Sequence, residues 1–437
     1  MRNRWAVYVF LAVILLGLTA VLLYNLPPVN ERIGWRLDSL RNQIRHAINP
    51  PEQAVFAPVG AANPGEATTD PQSVQLSPSA APDETPTPTE HTSTAPPLPS
   101  PTPTIPFTPI PGTTILSGVV HEYQQMNNCG PATLSMALSY WDWLGDQRDT
   151  RAYLRPNFQQ VDDKNVSPSE MVAFVEEQTG MKALARVGGD VDTLKALLAA
   201  GFPVVIEKGQ QPHPGDWMGH YVLFTGYDDI KGHFISQDSY IMPDLPVPYE
   251  NLSEAWWRDF NYTYIVIYPP EREGEVLSIL GPQADEMHNY QSVADKARRE
   301  ISSLSGRNLF FAWYNLGTNL VALENYAEAA QAYDRAFNIY PTIPEDDRPW
   351  RMLWYQVSPY PAYYHTGRYQ DIITLGNQTL DLAGGPILEE TFYWLGLARE
   401  AEGDMEKAIY DFQKAYEINP SSTPALQELQ RLGIEVP

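Results

Sequence analysis

The chain has 437 residues, 43% of them hydrophobic, a formal net charge of −24 and a single cysteine. That length points to two or three domains, and the apolar share excludes wholesale disorder. The acidic balance excludes a nucleic-acid binder, which needs a basic footprint, and one cysteine excludes an internal disulfide or a Cys-rich zinc site.

Residues 1–50 open on Arg2 and Arg4 and then run from Trp5 to Tyr24 without a charge. About twenty apolar residues are enough to cross the hydrocarbon core as a helix. The run is longer than a signal-peptide core and no A-x-A cleavage site follows, so residues 5–24 are expected to form an uncleaved, single-pass transmembrane anchor. Ile33, Leu37, Leu40, Ile44 and Ile48 then share one helical face, flanked by Arg32, Arg36, Arg41 and Arg45. Such a segment is expected to lie on the membrane surface with its arginines snorkelling. Because positive charge stands on both sides of the span, the positive-inside rule assigns it no orientation.

Residues 51–112 hold 16 of the 40 prolines, many Ser and Thr, and no Lys or Arg. A chain of this composition buries too little apolar surface to offset its ordering entropy. It is expected to be a disordered, Pro/Thr/Ser-rich linker with polyproline II character and an upper reach of roughly 190 Å. A stalk of this kind favours folded domains outside the cytoplasm.

From Thr113 to about residue 270 the composition becomes globular. Alternation from Ile115 to Val120 predicts a strand. A helix opens at Cys129-Gly130-Pro131 and carries Leu134, Ala137, Leu138 and Trp141 on one face. Ser167 and Glu170 stand at capping-box spacing and start a second helix; a third covers about 191–200. Strands follow at about 203–208, 220–227, 233–237 and 262–268, giving an α+β plan.

Cys129 at a helix N-terminus is placed where N–H groups and the dipole favour a thiolate, the nucleophilic form. A thiolate needs a base, and the base an orienting group. His220 opens the strand His220-Tyr221-Val222-Leu223-Phe224, and Asp238 ends the next strand; a turn at 228–232 brings the two strands side by side. Residue types and chain order suit a papain-like triad. The bland alternatives are a buried structural cysteine, a strand-end histidine held by backbone and a turn carboxylate.

The stretch Gln124-Gln125-Met126-Asn127-Asn128-Cys129-Gly130-Pro131 resembles the nucleophile motif of papain-like bacterial cysteine peptidases of the bacteriocin-leader-processing type (cysteine peptidase family thirty-nine). Gly219-His220-Tyr221-Val222 with Gly226-Tyr227-Asp228 is similar to that family's histidine motif, and Gln237-Asp238-Ser239-Tyr240 stands where relatives have Asp-Pro-Tyr. The resemblance implies a papain-like α+β fold over 113–270, with Cys129 as nucleophile, His220 as general base and Asp238 orienting the imidazole. It also implies an upstream Gln as oxyanion donor beside the Cys129 N–H. Transporter-linked members carry that Gln six residues before the cysteine, where this chain has Tyr123. Gln124 is assigned because free-standing relatives read Gln-x-x-Asn-x-Cys; Gln125 is the neighbouring alternative. No phosphate-binding Gly-rich loop follows, so an attached transporter is not implied.

Residues 271–300 read as a linking helix. Beyond them, 309–341 and 388–420 align at a constant offset: Gly317 with Gly396, Ala329 with Ala408, Tyr333 with Phe412, Ala336 with Ala415, Pro341 with Pro420. Trp313-Tyr314-Asn315-Leu316-Gly317 and Tyr393-Trp394-Leu395-Gly396 resemble the tetratricopeptide signature, and a weaker unit lies around His365–Tyr369. Residues 301–437 are thus expected to form an all-α repeat solenoid of about three helix pairs.

The sequence therefore predicts a membrane-anchored cysteine peptidase with no cofactor and no metal. Its partners would be a peptide or protein substrate, a protein bound by the repeats and the membrane through residues 5–24, with no nucleic acid. The alternative is a non-catalytic, membrane-tethered adaptor whose repeats are the working part. Removing 280–437 is expected to spare cleavage of a small substrate but to weaken processing of a protein substrate; the alternative is a stack that only packs on the peptidase and rigidifies it.

Overall fold

A computed structural model describes residues 8, 15–17, 19, 110–157, 166–252, 256–383, 387–421 and 423–436. Among these, no helix is long and apolar enough to cross a membrane. The expected span at 5–24, the amphipathic stretch at 33–48 and the linker at 51–112 lie almost entirely outside the described residues.

Seven strands form one antiparallel sheet: β1 (Thr113–Ile115), β2 (Lys182–Arg186), β3 (Val204–Gln210), β4 (Met218–Asp228), β5 (His233–Gln237), β6 (Leu245–Pro248) and β7 (Tyr264–Tyr268), in the order β2-β7-β3-β4-β5-β6 with β1 beside β4. Side-chain alternation splits the central strands between two cores. Val205, Tyr221, Leu223, Ile265 and Ile267 face helices α1 (Cys129–Ser139) and α3 (Pro168–Gln178). Val204, Ile206, Val222, Phe224 and Val266 face α4 (Val191–Ala199) and α5 (Glu273–Leu280). Burial on both faces is why these strands read as continuous apolar runs.

The capping box at Ser167 and Glu170 closes as expected, with Ser167 Oγ accepting from the Glu170 N–H. Helix α1 departs from a one-faced pattern, because every residue from Gly130 to Leu138 is buried. It is wrapped by sheet, loop and α2 (Gln147–Leu154), a helix without apolar periodicity and so without a sequence signal. The strand expected at 115–120 is displaced to Thr113–Ile115, where it pairs with Gly226–Asp228 of the central hairpin, and the chain turns further on at Gly118, φ +106°. Strands β2 and β6 have no counterpart among the expected strands; Pro246 and Pro248 sit in β6, where edge position tolerates them. In 271–300 two helices replace the single expected one, α5 and α6 (Glu286–Ile301), broken where Gly281 adopts φ +54° ahead of Pro282.

Among the described residues three helix pairs follow: α7 (Gly306–Ala322) with α8 (Tyr326–Ile339), α9 (Pro359–His365) with α10 (Tyr369–Ala383), and α11 (Glu389–Ala401) with α12 (Met405–Ile418); α13 (Thr423–Arg431) packs on the last. The matched glycines are close-approach positions. A Cβ on Gly317 would stand 2.7 Å from the Tyr333 ring, and one on Gly396 2.6 Å from Phe412.

The repeats and the sheet domain share a core. Trp217 and Phe260 of the sheet domain are buried among Phe310, Phe311 and Tyr314 of α7 and the Tyr333 ring of α8. Asn261 and Asn319 exchange side-chain hydrogen bonds at 2.9 and 3.1 Å, and the fully buried Asp259 accepts from Trp217 Nε1 and Arg307.

Candidate active site

Cys129 is the first residue of α1 and is half-buried. Its approach loop is clamped from α2. Gln147 Oε1 accepts from the Gln125 N–H (2.9 Å) and from Asn128 Nδ2 (2.8 Å), while Gln147 Nε2 donates to the Tyr123 carbonyl (2.8 Å). Arg155 donates to the Asn127 carbonyl at 3.0 Å and to Asn128 Oδ1 at 3.3 Å. Asn128 is thereby diverted from capping α1 with its side chain, and the Gly130 backbone bonds the sulfur instead.

His220 and Asp238 are buried, at 2% and 1% exposure. Strands β4 and β5 pair as a hairpin, with Asp228 opposite His233 and Leu223 opposite Gln237. His220 Nε2 and Asp238 Oδ1 are 3.0 Å apart. That contact leaves Nδ1 of the ring for Cys129, with which His220 is also hydrogen-bonded. Asp238 Oδ1 accepts further from the N–H groups of Tyr240 (2.9 Å) and Ile241 (3.1 Å), which fixes the carboxylate.

The three groups reinforce one another's charge. Burial pushes the Cys129 thiol up, but the His220 hydrogen bond and charge, with backbone bonds from Tyr221 and Gly130, bring it below the usual thiol range. Burial lowers His220, yet the Asp238 charge and hydrogen bond, then Cys129, raise it to about 9. Burial raises Asp238, and His220, Lys208 and the Tyr240 N–H carry it down to about 2. Both shifts run in the direction that favours a thiolate beside an imidazolium.

Residues 118–264 match the family model described as Peptidase_C39 like family, and 310–343 and 389–422 match the tetratricopeptide repeat model. The chain carries a C39-like domain followed by tetratricopeptide repeats. A Mus musculus protein named FK506-binding protein-like is 30% identical over 136 residues, which is 31% of this chain. The match spans 38% of that relative's length. A crystal structure of a C39-like peptidase from Bacillus anthracis is 18% identical, covers 36% of this chain and 96% of that one, and superposes with a TM-score of 0.28.

Around the sulfur of the C39-like domain is a narrow cleft whose free volume is about 20 Å³, little more than one water needs. Besides Cys129, His220 and Tyr221, its walls are Asn127, Gly130, Val166, Glu207, Gly219 and Tyr355. Gln124 is not among them. Its Oε1 accepts from Ser239 Oγ at 3.0 Å and its N–H donates to the Ser239 carbonyl, tying it to the residue after Asp238. Gln125 Oε1 is taken by Arg151 of α2.

Glu207 and Tyr355 carry no functional signal in the sequence. Glu207 ends the apolar run Val204-Val205-Ile206, where an almost fully buried acid is the single anomaly. Burial pushes its carboxyl up to about 8, against the Tyr221 hydrogen bond and with the Cys129 charge. The Tyr221 hydroxyl stands 2.9 Å from both the Val166 carbonyl and Glu207 Oε1, and one phenol hydrogen serves only one of them. A proton on Glu207 completes the pair. Tyr355 comes from the repeat region, which no local pattern around Cys129 could indicate.

The clamp gives a direct expectation. Gln147→Leu removes the hydrogen bonds to the Tyr123 carbonyl, the Gln125 N–H and the Asn128 amide. It should destabilise the protein by about 1–3 kcal/mol and slow alkylation of Cys129; unchanged chemical denaturation and reactivity would show that the loop holds itself.

Proposed function

We propose that the C39-like domain is an active cysteine peptidase in which Cys129, His220 and Asp238 form the catalytic triad. The reading rests on one observation above the others: a half-buried thiol at a helix N-terminus, hydrogen-bonded to an imidazole whose far nitrogen is held by a buried carboxylate. The Cys129 thiolate adds to the peptide carbonyl carbon. The oxyanion is met by the Cys129 N–H and the Gln124 amide, whose Oε1 is engaged by Ser239 and whose Nε2 is the donor end. His220 gives its proton to the leaving amine as the C–N bond breaks, leaving a thioester. It then takes a proton from water, which attacks the thioester; the acid departs and the thiolate re-forms. Asp238 keeps the imidazole oriented and its charge favourable throughout.

The repeats bind a protein partner or the substrate, and residues 5–24 anchor the chain so that the folded parts work outside the cytoplasm at the end of the linker. The helix pairs support the first statement, and the charge-free run supports the second. The narrowness of the cleft favours a different reading, an adaptor with an idle peptidase fold.

Alkylation by iodoacetamide as a function of pH separates the two, because one cysteine gives the signal a single source. An active site requires reaction to persist well below the ordinary thiol pKa of about 8.5 and to lose that behaviour in His220→Ala. A thiol titrating like free cysteine in both proteins rejects the peptidase.

A further inference from the structure

Between the first and second helix pairs, residues 340–358 form no full repeat helix, only short turns at Tyr340–Thr342, Glu345–Asp347 and Met352–Trp354. This insert is fastened to the loop that joins β3 to β4, immediately before His220. Trp350 Nε1 donates to the Gly215 carbonyl at 2.9 Å, and Arg351 Nη1 donates to the Trp217 carbonyl at 2.9 Å and pairs with Asp216 at 2.7 Å. The Gly215 N–H donates to the Asp346 carbonyl at 2.8 Å, and Gln356 Nε2 to the Asp259 carbonyl at 2.6 Å. Arg351 and Trp350 are both buried, at 6% exposure each. An ion pair of this kind, backed by backbone hydrogen bonds and aromatic packing, holds one geometry rather than several.

These anchors deliver Tyr355 to the cleft. Its ring lies against Trp217 and Phe260, with centroids 6.2 and 5.9 Å away, and its hydroxyl is met by the Gly219 backbone. The approach is close enough to demand glycine on the facing strand. A Cβ on Gly219 would stand 2.7 Å from Phe260 Cζ and 3.2 Å from Tyr355 Cδ1. Tyr355 therefore cannot retreat towards the shared core, which is filled, and the remaining space beside the sulfur is about 20 Å³.

We infer that Tyr355 is a specificity-determining residue: the repeat module supplies one wall of the peptidase cleft, and that wall limits the bulk of the group admitted beside Cys129. The inference rests on the peptidase reading above for its meaning, but the wall itself is a matter of shape. It makes the insert part of the active site rather than a remote docking platform. A side chain with a branched or aromatic end would overlap the Tyr355 ring, and the wall, fixed by buried contacts, does not yield as a mobile lid would.

The experiment uses the purified full chain, its single thiol and two reagents with the same reacting group, N-methylmaleimide and the bulkier N-phenylmaleimide. Tyr355→Ala should raise the phenyl-to-methyl rate ratio about tenfold or more, the size of discrimination a steric pocket supplies. Tyr355→Phe keeps the ring and should leave the ratio unchanged, while Tyr355→Trp should lower it. Cooperative thermal unfolding identifies the variants that are folded, and the Phe and Trp variants decide the matter if the Ala variant is not. A ratio that stays constant across folded variants overturns the proposal. So does an equal acceleration of both reagents, which would make Tyr355 a cover and not a gauge. Failure of the peptidase reading is read separately, as loss of the low-pH reactivity towards N-methylmaleimide while the ratio still responds to Tyr355.

Discussion

Cys129→Ala is expected to abolish peptide hydrolysis, by a factor of about 10⁴–10⁶, without disturbing the fold. Losing the sulfur removes the only thiol in the chain and little packing, because the helix behind it is held by nine buried residues from Gly130 to Leu138. The remaining members of the site define a graded series. Asp238→Asn keeps the shape but takes away the charge that holds His220 protonated up to about 9. Under the proposed mechanism activity depends on a proton on His220, which places the expected basic limb of the pH profile near 9 in the native protein. In the Asn variant it should fall towards the ordinary histidine value of about 6.5. Gln124→Ala should reduce kcat by roughly 10²–10³ if the amide meets the oxyanion. A loss of that size in Gln125→Ala instead would place the donor one residue along the chain. The measurement is turnover of a denatured protein substrate, followed by mass spectrometry across pH 5 to about 10. Hydrolysis surviving in Cys129→Ala would remove the thiol from the mechanism altogether.

Deleting the repeats should cost the C39-like domain its folded state, contrary to the sparing of small-substrate cleavage expected from sequence. Truncation after residue 301 bares Trp217 and Phe260, which are 0% and 2% exposed in the full chain. Each aromatic forfeits about 1.5–3 kcal/mol of burial. It also strips Arg307 from Asp259, which is fully buried in the full chain, and the loss of a hydrogen bond to a charged group costs about 1.5–3 kcal/mol. Those losses together approach the whole stability of an ordinary domain, about 5–15 kcal/mol. Thermal unfolding and limited proteolysis of fragment 110–301 against 110–437 check this. A cooperative transition at the same temperature in both fragments would show that the shared core is dispensable. Because Tyr355 lines the cleft, truncation also removes part of the site, and cleavage of even a small substrate should not survive it.

The order Cys129, His220, Asp238 and the hairpin between the last two could be read from the chain because each sits in a local pattern. A proline in a first helical turn, alternating strands and a turn at Asp228–Gly232 are short-range signals, and local sterics determine them. The repeats were legible for the same reason, since their glycines recur where helices cross. The clamp on the nucleophile loop was not. Gln147 and Arg155 lie at the two ends of a polar helix with no apolar periodicity, and their value depends wholly on which carbonyls and amides they meet.

By itself, then, the sequence determined the nucleophile helix, the central strands and the repeats, and which cysteine, histidine and aspartate belong together. Backbone sterics and side-chain periodicity act over a few residues and leave their mark in composition and spacing. Only the tertiary structure decided that Tyr355 closes the cleft, that Glu207 lies buried beside the thiol, and that Trp217 and Phe260 are packed in the core of the repeats. Those facts come from packing between segments far apart in the chain, where the outcome is set by volume and burial, and neither is written in any local stretch of residues.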